Sequence, residues 1–302
     1  MDTTDRMILK AMYRNCRVSY EELSRELGIT GNSIKRRIRK LIEDGVIVSF
    51  CLRLSQDMAS TEPMIALVEP IRNTNVDELV DAVGKHPFVI SAGLDSSGWL
   101  VVWVEFIGTD GLSEFNSYVR GLKGVNDVEL NPLPSGDRGK KIEFSRSQLR
   151  VLKVLVDDPR MPISTIAQKT GMTIKKARKI LGELEDSEAV IFSARVNANA
   201  GSGTRFVLRL YWDEKQISSD EIIEAIERKY ADLYYTSYVS ASSPRMFAIF
   251  DADHVREAEA IAKYLVQLPS VVHFRTIIPY PAKIFRGIRE TKLLEIIKES
   301  GV

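Results

Sequence analysis

Residues 17–42 read Arg17-Val18-Ser19-Tyr20-Glu21-Glu22-Leu23-Ser24-Arg25-Glu26-Leu27-Gly28-Ile29-Thr30-Gly31-Asn32-Ser33-Ile34-Lys35-Arg36-Arg37-Ile38-Arg39-Lys40-Leu41-Ile42. Ser19, with Glu22 three residues on, has the spacing of a capping box and opens a helix over Tyr20–Leu27. Gly28 closes that helix, because a residue without Cβ can turn the backbone left-handed at no steric cost. Thr30 or Asn32 caps a second helix, predicted from Ser33 to Asp44, in which Ile34, Ile38, Leu41 and Ile42 keep helical spacing. Helix, short glycine turn, helix is the unit that places its second helix in the major groove of DNA. A preceding helix, Thr4–Asn15, presents Ile8, Leu9 and Met12, and Gly45-Val46-Ile47-Val48-Ser49-Phe50 starts a β wing.

Charge supports this reading. Lys35, Arg36, Arg37, Arg39 and Lys40 take five of six consecutive positions, and no acid occurs between Ser33 and Ile42. A solvated basic face is the usual explanation of a charge run, but such a face normally carries interspersed acids. Lysines and arginines at this density neutralise phosphates, and an Arg fork also fits a guanine edge. Asn32, Ser33, Lys35, Arg36, Arg37, Arg39 and Lys40 are therefore the candidate DNA contacts.

The same module recurs. Residues 7–50 match 150–193 without a gap at an offset of 143: Leu9 falls on Leu152, Arg17 on Arg160, Gly28 on Gly171, Thr30 on Thr173 and Leu41 on Leu184. The second unit reads as helix Ser164–Thr170, turn Gly171-Met172 and recognition helix Thr173–Asp186, with Lys175, Lys176, Arg178 and Lys179 as its candidate DNA contacts. It departs from the first in three places. Gly182 interrupts the helix where Arg39 stands, Glu188 replaces the wing glycine Gly45, and Glu183, Glu185 and Asp186 put acid at the helix end. Weaker DNA binding or a structural role is expected there.

The segments after each unit also repeat. Met64–Glu69, Asn75–Lys85, Phe88–Leu94, Trp99–Ile107, Leu112–Leu122 and Val125–Leu133 read as strand, helix, strand, strand, helix, strand. Thr204–Trp212, Ser219–Lys229, Leu233–Ser240, Met246–Ala252, His254–Leu268 and Val271–Ile278 keep the same order. This β-α-β-β-α-β plan is ferredoxin-like, an antiparallel sheet with helices on one face. The fold class is α+β, two winged helix-turn-helix domains (1–55 and 144–198) alternating with two ferredoxin-like domains (62–134 and 203–281). Turn-forming Pro134-Ser135-Gly136-Asp137-Arg138-Gly139 lies in the linker, 135–143. A closing helix at Gly287–Ser300, within 286–302, carries Leu293, Leu294, Ile296 and Ile297 as a packing stripe that caps its own domain.

Composition bounds the rest. At 44% hydrophobic and 27% charged residues the chain is an ordinary globular one, and a net charge of +1 leaves the placement of basic residues to decide partners. No apolar run approaches the roughly 20 residues of a membrane span, and the acidic Met1-Asp2-Thr3-Thr4-Asp5 start is unlike a signal peptide. Cys16 and Cys51, with no nearby His, make neither a metal site nor a disulfide framework. A cytoplasmic protein without membrane partners, metal or cofactor is expected.

With these residues in view, the first repeat resembles the leucine-responsive/AsnC (Lrp/AsnC) family of feast-or-famine regulators. Asp2-Thr3-Thr4-Asp5-Arg6-Met7-Ile8-Leu9 is similar to that family's opening motif, and Arg17–Ser24 is similar to its first motif helix. Arg36-Arg37-Ile38-Arg39-Lys40-Leu41 and Gly45-Val46-Ile47 resemble its recognition helix and turn into the wing. Two repeats in one chain resemble the tandem forms seen in archaea. The resemblance implies a transcription regulator that binds sequence-specific double-stranded DNA. It also implies a ferredoxin-like (RAM) domain that takes a small-molecule effector, an amino acid or another metabolite. Domain pairing through the sheets is implied too, in a homodimer or within the duplicated chain. The family's effector loop, often Gly-x-x-Asp, is Asp95-Ser96-Ser97-Gly98 here and Ser242-Ser243-Pro244-Arg245 in the second repeat. Ser96, Ser97, Ser242 and Ser243 are the candidate effector contacts, against the plainer role of turn serines.

An enzyme is the rival reading, since siroheme decarboxylases share this plan and also occur as related pairs. Such chemistry needs a positioned acid-base group. His86 reads as a residue at a helix C-terminus, His254 as a helix start beside Asp251 and Asp253, and His273 as a strand residue. No phosphate-binding glycine loop or nucleophile motif is present.

Overall fold

The computed structural model describes residues 1–134, 139–201, 204–252, 254–268 and 270–302. The first repeat contains α1 (Thr3–Arg14), α2 (Tyr20–Leu27), α3 (Gly31–Glu43), β1 (Ile47–Leu54) and α4 (Gln56–Ala59). It continues with β2 (Glu62–Pro70), α5 (Val76–Gly84), β3 (Val89–Leu94), β4 (Leu100–Phe106), α6 (Gly108–Arg120) and β5 (Val125–Pro132). The second repeat opens with α7 (Arg146–Leu155), α8 (Ile163–Thr170), α9 (Ile174–Ser187) and β6 (Val190–Val196). Its later elements are β7 (Thr204–Trp212), α10 (Ser219–Tyr230), β8 (Tyr234–Val239), β9 (Arg245–Ala252), α11 (Val255–Val266) and β10 (Val271–Ile277). A short β11 (Lys283–Ile284) and α12 (Ile288–Glu299) end the chain. Ser135, Gly136, Asp137 and Arg138 of the expected linker, and Asp253 near His254, lie outside the described residues.

These elements gather by type rather than by repeat, into two compact units. One unit takes Met7–Thr61, Ser135–Val196 and Arg286–Val302, which hold both helix-turn-helix segments and the closing helix. Ile8, Leu9 and Met12 of α1, Leu23 of α2 and Ile34, Ile38 and Leu41 of α3 are buried as the periodicity predicts, whereas Ile42, expected on the same face, is exposed at the end of the helix. Each buried side chain contributes about 1.5–3 kcal/mol by leaving water. The strand expected to begin a wing does form, and its partner is the strand of the other repeat: β1 runs antiparallel to β6. Two lone β edges are satisfied by pairing with one another.

The second recognition helix is continuous through Gly182, contrary to the expected interruption. Ala177, Ile180, Leu181 and Leu184 are buried on both sides of it, and a missing Cβ costs a helix only about 1 kcal/mol. The closing helix departs from expectation as well. It sits on β1, α4 and α7 in the helix-turn-helix unit, not on the ferredoxin-like domain that precedes it in sequence. Of the expected stripe, Leu293 and Ile297 are buried, and Leu294 and Ile296 are half-buried. Buried Arg289 donates from Nε to the Leu54 carbonyl (2.6 Å), and Lys292 Nζ donates to the Ala59 carbonyl (2.7 Å).

The other unit takes Met1–Arg6, Glu62–Pro134 and Asn197–Phe285 and holds both ferredoxin-like domains. The two antiparallel sheets have the orders β3-β4-β2-β5 and β10-β7-β9-β8, which are the same arrangement, and β11 extends the first sheet beyond β3. In β7 the buried Phe206, Leu208, Leu210 and Trp212 alternate and meet Ile222 and Ile226 of α10 and Ile261 and Leu265 of α11. The opposite faces of the two sheets meet each other. Ile65, Leu67, Val101, Trp103 and Leu133 of the first pack with Val207, Tyr238 and Phe247 of the second, and the Trp103 and Tyr238 rings meet edge to face at 4.8 Å. That double burial explains why Met64-Ile65-Ala66-Leu67-Val68 is an unbroken apolar run rather than an alternating one. Each hairpin loop also reaches the end of the other repeat's last strand. Ser96 N–H donates to the Ile278 carbonyl (2.9 Å), and Ala241 N–H donates to the Pro132 carbonyl (2.8 Å). Sheet pairing is thus made within the chain.

Candidate nucleic-acid interface

Ser19 Oγ accepts from the Glu22 N–H (3.0 Å), the serine half of the expected box, and Gly28 closes α2 with φ 66°. Of the two proposed caps for α3, Thr30 is the one that forms, accepting from the Ser33 N–H at 3.2 Å. The helix therefore starts at Gly31, two residues before the expected Ser33, and Asn32 lies in its first turn instead of capping it. With Ile34, Ile38 and Leu41 buried, the remaining faces carry the charge. Asn32, Lys35, Arg36, Arg39 and Lys40 are exposed, and Ser33 and Arg37 are half-buried.

The second unit holds the same geometry with different side chains. Pro162 precedes α8 and makes no side-chain cap, Gly171 closes it with φ 67°, and Thr173 Oγ1 caps α9 by accepting from the Lys176 N–H at 3.2 Å. Lys175, Lys176, Arg178 and Lys179 are all exposed. Lys179 Nζ lies 3.6 Å from the Glu183 carboxylate one turn on, which diverts part of its charge from any external anion.

Two arginines that the sequence did not mark as special join the repeats. Arg17 Nη1 donates to the Pro159 carbonyl at 2.6 Å, and its guanidinium lies 5.7 Å from the Phe192 ring centroid and 3.6 Å from Glu185. Its repeat counterpart Arg160 lies over both Tyr20 (5.3 Å) and Phe50 (5.0 Å). Burial raises the Glu185 carboxyl above its ordinary range while Arg17 pulls it down. The equivalence of Arg17 and Arg160 under the repeat offset was the available signal. Cys16 and Cys51 are buried free thiols in this unit, and burial pushes Cys16 up to about 12.

The four candidate effector serines are not brought to one place. Ser97 donates both its N–H (2.7 Å) and its hydroxyl (2.6 Å) to Asp95 Oδ1, and Ser96 Oγ accepts from the Ile278 N–H at 2.9 Å. Ser97 serves its own turn, and Ser96 ties the loop to the end of the other repeat's last strand. Ser242 and Ser243 instead line an open cleft of about 480 Å³ with Trp212, Glu214, Ser218 and Ser219. Trp212 is buried, and its Nε1–H has no hydrogen-bond partner among the described residues.

The three histidines have separate surroundings. His86 is buried among Phe88, Phe115 and Tyr118, with ring centroids 4.9, 5.2 and 4.9 Å away, and its Nδ1 accepts from the Phe88 N–H at 3.3 Å. His254 precedes α11, where its N–H donates to Glu257, and His273 is exposed on the sheet beside Tyr211 (5.6 Å). Among the described residues, no three His, Cys, Asp or Glu side chains gather as a metal site, and no helix is long and apolar enough to cross a membrane.

Comparison with known proteins agrees with this geometry. Residues 1–48 and 144–191 each match the family model for winged helix-turn-helix DNA-binding. An uncharacterized HTH-type transcriptional regulator of Pyrococcus abyssi is 25% identical over 131 residues, 43% of this chain and 86% of that protein. The HTH-type transcriptional regulator Ptr1 of Methanocaldococcus jannaschii is 30% identical over 81 residues, 27% of this chain and 55% of its own length. Among solved structures, the siroheme decarboxylase NirDL superposes with a TM-score of 0.56 at 15% identity, covering 100% of both chains, a likeness of fold alone. The class is a DNA-binding transcription regulator built on paired winged helix-turn-helix units. Both helix-turn-helix units lie in one polypeptide.

Proposed function

We propose that α3 enters the major groove of operator DNA and that Asn32, Ser33, Lys35, Arg36, Arg37, Arg39 and Lys40 make the contacts, with Lys175, Lys176, Arg178 and Lys179 of α9 as auxiliary ones. One observation supports this most: Lys35, Arg36, Arg39 and Lys40 are all exposed on a helix that Ile34, Ile38 and Leu41 anchor by their burial. In this reading residues 1–55 and 144–198 are the DNA-contacting modules, and 62–134 and 203–281 the paired modules that respond to an effector. The protein works in the cytoplasm as a regulator and not as an enzyme. Its effector site is the cleft at Ser242 and Ser243, where serine hydroxyls are donors suited to a carboxylate and Glu214 is suited to an amine. A dimer of chains would need a surface other than the two sheet faces already joined.

The test is a gel-shift titration with promoter DNA at several salt concentrations. Changing exposed Arg36, Arg39 and Lys40 to Ala should weaken binding and lower the slope of log K against log salt by about 0.9 for each phosphate no longer neutralised. Unchanged affinity in a folded variant removes α3 from the interface. The decarboxylase reading has the whole-chain architecture in its favour. Bound tetrapyrrole pigment on the purified protein, with no DNA retained, would establish it instead.

A further inference from the structure

We propose that one chain occupies one operator and reads it unequally: α3 reads the bases of one half-site, while α9 holds the other mainly through its phosphates. This rests on the DNA-binding reading above and specifies the DNA it takes.

The register of β1 with β6 carries the first step. Phe50 faces Ala194, the repeat counterpart of Cys51, and Cys51 faces Ser193, the counterpart of Phe50. A pairing that exchanges counterparts in this way is a local two-fold axis between the repeats. Arg17 and Arg160, counterparts under the offset, each reach across to an aromatic ring of the other repeat, although the two rings, Phe192 and Phe50, are not counterparts of one another. Both recognition helices belong to this unit, and the strand that leaves each one enters the shared ribbon. Two motifs related by a two-fold match inverted half-sites about one helical turn apart. Here both motifs come from one polypeptide.

The side chains then break the symmetry. Base edges are read by groups with directional, paired hydrogen bonds: Asn to adenine and Arg to guanine. Lysine is a point charge suited to phosphate. Asn32, Arg36, Arg39 and Lys40 of α3 are exposed, and their counterparts in α9 are Lys175, Lys179, Gly182 and Glu183. The exposed base-reading groups Asn32, Arg36 and Arg39 are replaced by two lysines and a glycine, and Lys40 by an acid, while α9 keeps one exposed arginine, Arg178, at the position of Lys35. The caps and closing glycines are retained, with Thr30 and Thr173 capping and Gly28 and Gly171 left-handed. The second helix is thus held in place for docking after losing three of the groups that discriminate bases and keeping one, Arg178.

The test is selection of duplexes from a random pool by the full chain, followed by mass measurement of the selected complex. One constrained block of bases is expected, flanked at about one helical turn by a stretch with little base preference. Scrambling that flank should change affinity less than about threefold, whereas deleting it should cost roughly tenfold, because the phosphates that α9 neutralises go with it. Lys175→Ala with Lys179→Ala should weaken all sequences alike and leave the selected motif unaltered, whereas Arg36→Lys should alter the motif. A palindrome with two equally constrained halves, or two chains per duplex, would overturn the proposal while leaving the DNA-binding reading intact. Failure to retain any duplex overturns that parent reading, and this proposal with it.

Discussion

Glu188 stands where the first repeat has Gly45, and both hold a left-handed backbone, with φ 52° and 72°. The turn out of each recognition helix requires this conformation, which a side chain with Cβ adopts only at a cost. Glu188→Gly should therefore raise stability by roughly 0.5–1 kcal/mol, less the extra freedom glycine gains when unfolded. A urea titration in which Glu188→Gly melts earlier than the parent would contradict it. His86 offers a residue-scale test by pH. Burial among three aromatic rings lowers its pKa, against a weaker pull from Glu114. The folded protein then binds fewer protons than the unfolded chain, so stability is full above the unfolded value of about 6.5 and falls as pH drops towards the lowered folded value. His86→Phe should flatten that slope, read as melting temperature against pH, even where the lost Phe88 N–H bond lowers stability throughout.

At the scale of elements, spacing announced the helices well and their surroundings poorly. The apolar period of α3 was plain, but whether Thr30 or Asn32 capped it depended on two side chains of similar chemistry, and Thr30 won. The glycine in α9 suggested a break that packing on both sides of it prevents. In α12 the stripe was legible, while its host was not, because nothing in an amphipathic pattern says which surface receives it. That helix is now a test of the helix-turn-helix unit. Leu293 has no exposure, so Leu293→Ala should destabilise the unit by roughly 2–4 kcal/mol, measured by denaturant unfolding. An unchanged midpoint would mean that α12 is only loosely held.

For the whole molecule, duplication turned what a pair of chains could do into what one chain does. The sheet faces that carry Trp103, Phe247 and Tyr238 cover each other, and Arg245 Nη1 bonds Asn131 (2.6 Å) and Glu129 (2.9 Å) in the same unit. With those faces used internally, light scattering should return a mass near 34.0 kDa for the free protein. A mass of twice that value would require an interface elsewhere.

The sequence by itself determined the helix-turn-helix units, the β-α-β-β-α-β order, the duplication and the charge on α3, because each is written in local spacing: caps, period, turn glycines and the offset of 143. Tertiary structure alone decided that β1 pairs with β6, that the two sheets meet face to face, that β11 joins the other repeat's sheet and that α12 sits on the helix-turn-helix unit. It also separated Ser242 and Ser243, which border a cleft, from Ser96, which bonds the end of the other repeat's last strand, and Ser97, which is spent on its turn. The physical reason is common to all of these. Local patterns state which face of an element must leave water, but burial is non-directional, and only the assembled chain settles which apolar face covers which.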